Sequence, residues 1–169
     1  MPEAREWLVQ WARDAHAMEE QAKTMLSGQA QRLQNYPMLQ GGIERHLEET
    51  NVQAQRLANY LEGIDEGNST MKDIGGKLMA MGQAFTGMFA SDEVMKGALA
   101  GYTFEHMEIA SYTILMAAAE ELGDQELARI CRQNLEEEVA MADWLASQAP
   151  ALTTEFLRRA EFDSSAAKR

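Results

Sequence analysis

Apolar residues recur at Leu8, Trp11, Ala15, Met18, Ala22, Met25 and Leu26, and steps of three and four set them along one face of a helix. This pattern predicts a first long helix from about Glu3 to Leu33. It breaks at Asn35, Tyr36 and Pro37, because proline disfavours a helical residue before it and suits the first turn of a following helix. A second stripe, Leu39, Ile43, His46, Thr50, Leu57 and Leu61, carries a helix to about Ile64. The run GIDEGNS ends it, and Asn68 or Ser69 there can cap a successor. A third, glycine-spotted helix is predicted over about 70–88. ASDEV then marks a fresh start, with Ser91 as the cap and acids in the first turn, and this fourth helix reaches Leu122. Gly123 is a natural stop and Asp124 a natural cap for a fifth helix from about Gln125 to Ala146. Pro150 ends a linker before a short sixth helix to about Ala160, and residues 161–169, EFDSSAAKR, read as a loose tail.

Connection lengths predict how these helices pack. The first and second are joined by a short turn, as are the fourth and fifth, so each pair is expected to be antiparallel. Between the pairs lie about 26 residues, enough to travel back along a helix of about 40 Å at 1.5 Å per residue. An up-down bundle has no need of such a connection, whereas ferritin-like bundles have one. Three prolines in 169 residues, with few β-branched side chains and much Ala, Leu, Met, Glu and Gln, favour helix throughout. The expected fold is all-α: one ferritin-like domain over 1–169, a four-helix bundle with a long helical crossover and a short C-terminal helix.

Acidic residues interrupt the inner stripes. Glu19 sits beside Met18 between Ala15 and Ala22, and Glu138 lies on the line Leu127, Cys131, Asn134, Met141 and Leu145. Glu49 follows His46 by three residues and precedes Gln53 by four. Glu105 and Glu108 lie on the fourth helix, flanked by Tyr102 and Tyr112. Counted from the turn at Gly123, Glu108 and Glu138 are level. Counted from Tyr36, Glu19 and Glu49 differ by about 6 Å in height. No Lys or Arg shares these positions; Arg13, Lys23, Arg45, Arg56, Arg129 and Arg132 point elsewhere by helical spacing. Burying several ionised carboxylates together costs several kcal/mol each against a total stability of about 5 to 15 kcal/mol. Protons or cations must balance them, and two divalent ions supply four positive charges. Carboxylate oxygens with one imidazole suit iron or manganese. A single glutamate at such a position is more often a boundary residue whose end reaches water; it is the matched set on four helices that points to a dinuclear site. His46 and His106 are open between ligand and core roles, His16 reads as boundary, and the twelve methionines as core filling.

Charge narrows the partners. At a net charge of -12, nucleic acid and anionic membrane surfaces repel the protein. The longest nearly uncharged stretch, Ile109 to Ala119, is too short for the roughly 20 residues of a membrane span, so no membrane anchor is expected. A lone cysteine forms no internal disulfide, and MPEAREWL has neither the basic segment nor the apolar run of a signal peptide. A cytoplasmic location is expected.

The segments RDAHAMEEQA, YPMLQGGIERHLEET, SDEVMKGALAGYTFEHMEIASY and EEEVAMADWL resemble the YciE/YciF stress-protein family of ferritin-like proteins, a domain of unknown function, and more nearly its YciE branch. The resemblance runs in order from about Trp7 to Arg158. It implies a ferritin-like bundle, a homodimer, a dinuclear metal site and a link to stress responses. Carried over with it are Glu19 in AMEEQ, Glu49 in HLEET, Glu105 and Glu108 in FEHMEIA, and Glu138 in EEEVA. One departure matters: the familiar di-iron pattern Glu-x-x-His fails, since Val52 follows Glu49 and Met141 follows Glu138 at that spacing. His46, and more weakly Gln53, is the alternative donor, which leaves manganese open beside iron. The expected function is a metal-binding stress protein acting on peroxide or oxygen. The competing expectation is a helical interaction or scaffold protein that responds to stress, whose inner acids stay protonated or hydrated and whose acidic surface and run LMAMGQAFTGMF form a docking or dimer surface.

Overall fold

The computed structural model describes residues 3–65 and 91–168. Four long helices account for most of them: α1 (Ala4–Ala30), α2 (Pro37–Asp65), α3 (Glu93–Glu121) and α4 (Gln125–Phe162), followed by a single turn, α5 (Ser164–Ala167). There is no strand among the described residues. The predicted helix over 70–88 and the run LMAMGQAFTGMF lie outside them.

Proline at the start of α2 supplies the fixed backbone angle that suits a first helical position. Gly123 has φ 72° and closes the α3–α4 turn, where a side chain would be strained. Asp124 accepts a hydrogen bond from the Leu127 backbone N–H at 3.0 Å, as a helix cap does. At the start of α3 the cap position belongs to Asp92 rather than the expected Ser91, and the Asp92 carboxylate pairs with Lys96 one turn on instead of closing the helix end.

The buried stripes meet in one core. On α2 every predicted position, Leu39, Ile43, His46, Thr50, Leu57 and Leu61, is buried, and so is the α4 line from Leu127 to Leu145. On α1 the apolar face turns slightly: Ala12 is buried and Trp11, predicted inside, is 39% exposed. Cross-helix pairs give the directions. Arg32 meets Glu93 and Glu19 meets Tyr112, so α1 and α3 run antiparallel. Arg56 meets Glu137 and Tyr60 meets Asp124, so α2 and α4 do too. With two antiparallel hairpins, the end of α2 and the start of α3 fall at opposite ends of the bundle, about 40 Å apart at 1.5 Å per residue. This is the connection order of a ferritin-like fold. At one crossing a methyl group on Gly42 would lie 2.0 Å from the Trp144 ring, so α2 needs glycine there to let the indole lie against its backbone.

Two sequence expectations fail near the carboxyl end. Pro150 lies inside α4, which continues to Phe162, so the predicted linker and the separate helix to Ala160 are one helix with the fifth. The missing N–H costs about 3 kcal/mol, but Leu152 is buried and Phe156 packs against the core beyond the proline, and that packing holds the helix through it. Nor is 161–169 loose over its described part. Asp163 caps α5 through Ser165 N–H at 2.9 Å, Ala167 is 1% exposed, and Tyr36 Oη and Asn35 Nδ2 donate to the carbonyls of Ala167 and Ala166 at 2.6 and 3.1 Å. The Val94 N–H donates to Lys168 O at 3.2 Å, tying the segment to the start of α3.

Candidate metal centre

Helical spacing brings four groups from three helices to one point. His46 from α2, Glu105 and Glu108 from α3 and Glu138 from α4 each offer a ligand atom, and these atoms lie within 4.8 Å of one another. All four residues are buried, at 2, 1, 1 and 0% exposure. Glu105 and Glu108 stand three apart, so they are neighbours on one helix face, while the turn at Gly123 brings Glu138 to the height of Glu108. Glu19 of α1 is also 0% exposed and feels the charges of Glu138, His46 and Glu105.

The polar atoms here are poorly served by the protein itself. Glu19 Oε2, Glu108 Oε1, Glu138 Oε1 and both amide atoms of Gln53 are buried without a hydrogen-bond partner. Each such atom costs about 1–3 kcal/mol, and two of the residues, Glu108 and Glu138, belong to the close group. His46 Nε2 lies 3.2 Å from Glu105 Oε2 and 3.3 Å from Glu138 Oε2, and one N–H cannot point along both lines. Burial opposes charge on the ring, but the ring's hydrogen bonds to Glu105 and Glu138 and the charges of those acids outweigh it and raise the His46 pKa to about 11. Burial first, then the neighbouring acid Glu138, raises Glu19 to about 8 despite the Tyr112 hydroxyl. Glu105 rises to about 7, again chiefly through burial, with His46 opposing. Burial and the charges of Glu138 and Glu19 push Glu108 well above the usual carboxylate range. His46, Glu105, Glu108 and Glu138 are thus a buried group that could hold a metal ion, in which burial makes the carboxyls resist ionisation.

Glu49 does not join the cluster. Its side chain is 51% exposed and accepts from His46 Nδ1 at 3.0 Å, so it orients the imidazole instead of facing inward. Gln53, named as the weaker donor, is the fully buried one. His106 is exposed and stacks edge-on against Tyr102, ring centres 4.5 Å apart, and Tyr102 points outward with it at 37% exposure. Tyr112 is buried and donates to Glu19 Oε1. His16 is half-buried at the boundary, as expected, beside Glu20. Sequence spacing also missed Asn134 and Arg56. Asn134 Nδ2 donates to Tyr112 Oη at 2.8 Å, and Arg56, expected to point away, reaches Asn134 Oδ1 at 2.8 Å. The one available signal was an asparagine on the inner line of α4, one turn before Glu138.

Similar proteins share this frame. The profile of the family described as Domain of unknown function (DUF892) matches residues 3–158. Protein YciF of Escherichia coli strain K12 is 33% identical over 135 residues, covering 75% of this chain and 78% of YciF. A crystal structure of a protein from Xanthomonas campestris pv. campestris superimposes with a TM-score of 0.78 at 38% identity, covering 94% of this chain and 99% of that one. The crystal structure of the E. coli stress protein YciF gives 0.74 at 26% identity over 88% of this chain and 96% of that one. With a family profile that spans nearly all of its length, and helical bundles of the same course beside it, the chain belongs to the family described as Domain of unknown function (DUF892).

Proposed function

We propose that this chain binds two divalent cations, iron or manganese, between Glu19, His46, Glu105, Glu108 and Glu138, and that it serves in a stress response like the YciF protein it is similar to. The observation that carries the reading is the group of buried carboxylate oxygens, on Glu19, Glu108 and Glu138, that face a common interior with no protein donor. Four carboxylates carry four negative charges, which two divalent ions balance. To hold an ion His46 would have to be the neutral base with Nε2 free, the ring being held through Nδ1 by Glu49. Oxygen donors with a single nitrogen suit iron and manganese alike, and such ions supply redox chemistry toward peroxide or oxygen. The residues' own part is to hold the ions away from water and to keep charge neutral. We place the protein in the cytoplasm as a homodimer. No helix among the described residues is long and apolar enough to cross a membrane.

One observation favours a second reading, in which the inner acids need no metal. His46 stands between Glu105 and Glu138 as a cation would, and a protonated imidazole with one ionised and three protonated glutamates makes a neutral core for a scaffold protein. The test is metal content after purification without chelator, with Glu105→Ala and Glu138→Ala as controls. About two iron or manganese ions per chain, lost in both variants, supports the cation site. No uptake under any loading, and a melting temperature unmoved by either metal, supports the scaffold.

A further inference from the structure

Arg56 lies outside the carboxylate cluster, yet its guanidinium is the outer end of a continuous hydrogen-bonded chain that finishes on Glu19. Two of its nitrogens clamp Glu137 at 2.8 and 2.9 Å, and Nη1 also donates to Asn134 Oδ1 at 2.8 Å. Asn134 Nδ2 donates to Tyr112 Oη at 2.8 Å, and the Tyr112 hydroxyl donates to Glu19 Oε1. The outer pair is about one-quarter exposed, at 26 and 28%. Asn134, Tyr112 and Glu19 are all fully buried.

Each link has only one allowed direction. Arginine donates and never accepts, so Asn134 must turn its oxygen to Arg56 and its amide N–H groups to Tyr112. The tyrosine oxygen then accepts, and its single hydrogen has one destination, Glu19 Oε1. That commits Oε1 and leaves Oε2 as the buried atom with no partner. Because an amide does not readily take up and pass on a proton, the chain orients groups and does not conduct protons.

We propose that Arg56 is a positioning residue for the cation centre: through Asn134 and Tyr112 it locks Glu19 in the orientation that leaves Oε2 free for a metal ion. This rests on the cation reading above. It assigns a part in metal binding to a partly exposed arginine two side chains away from the nearest carboxylate of the site.

The test uses the full chain and Co²⁺ as probe, with binding isotherms and the visible absorption of bound Co²⁺. Arg56→Met, Glu137→Gln and Tyr112→Phe are compared with wild type, and thermal melts check folding. Expected are a loss of affinity of about tenfold or more for Arg56→Met and Tyr112→Phe, an altered Co²⁺ spectrum, and a double variant no weaker than the worse single one, because both act through one chain. Arg56→Lys, which can still donate to Asn134, recovers part of the loss. A readout independent of metal is the Tyr112 hydroxyl proton resonance in chelated protein, absent in Tyr112→Phe and displaced in Arg56→Met. Wild-type affinity, spectrum and resonance in Arg56→Met would overturn the proposal, as would fully additive losses in the double variant. If wild type takes up no Co²⁺ the cation reading fails; a displaced resonance then supports the Arg56-to-Glu19 link alone, and an unmoved one removes both.

Discussion

Glu108 is an interior carboxyl that weighs on the stability of the fold. It is 1% exposed, its Oε1 has no partner, and burial together with the charges of Glu138 and Glu19 raises its proton affinity. In chelated protein, Glu108→Gln is therefore expected to raise stability by about 1 kcal/mol, read by urea unfolding, while metal uptake falls. The same scale explains what spacing could and could not resolve. At about 100° per residue, Gln53 points about 20° from His46 and Glu49 about 60°, enough to take Glu49 to the surface and leave Gln53 inside. Tyr102 stands about 120° from Glu108 and Tyr112 about 40°, which is why one flanking tyrosine faces out and the other meets Glu19. A reading by nearest apolar neighbour treats these pairs alike; angle separates them. Arg56 was illegible for a different reason: its long side chain reaches an inward partner from an outward backbone position.

Among the elements, α2 was the most legible, because its neighbours cover one continuous stripe. On α1 the exchange of Ala12 for Trp11 follows from size: the core there admits an alanine, and the indole lies at the boundary. The long α4 was misread at Pro150, where a local rule met a stronger tertiary one. The packing of Leu152 and Phe156 beyond the proline is invisible to a pattern that has already assigned a break. If that packing, and not the proline, defines the segment, Pro150→Ala restores an N–H to the helix and adds about 1–3 kcal/mol of stability, with no change in helix content by circular dichroism. A loss of stability would mean that the proline itself sets the path of α4.

Across the whole molecule the two ends of the bundle are closed differently. At one end Asp124 receives the Leu127 N–H, the Tyr60 hydroxyl at 2.7 Å and the Arg5 guanidinium at 2.8 Å. Burial raises its pKa, but these donors together outweigh burial and hold it below the ordinary value of 3.8. A carboxyl with a lowered folded pKa adds stability above its unfolded pKa and loses it as pH falls through the folded one. Asp124→Ala is thus expected to cost about 1–2 kcal/mol at pH 7, with the gap in melting temperature holding down to about pH 5 and narrowing below about pH 4. At the other end the residues read as a tail are pinned to Tyr36, Asn35 and Val94. That could not be seen in the sequence, since the acceptors are the backbone carbonyls of Ala166, Ala167 and Lys168, which carry no pattern.

The core also encloses the sequence's single thiol. Cys131 is 0% exposed, and burial, with Asp124 nearby, pushes it up to about 12, so it stays protonated and unreactive while α4 is in place. An aromatic disulfide reagent added to the intact protein should release colour only as fast as molecules breathe open, and all at once in denaturant. The rate of that reaction, followed with and without added manganese, gives a label-free clock for how tightly the interior is held shut; immediate colour from the native protein would mean that α4 is not anchored as described.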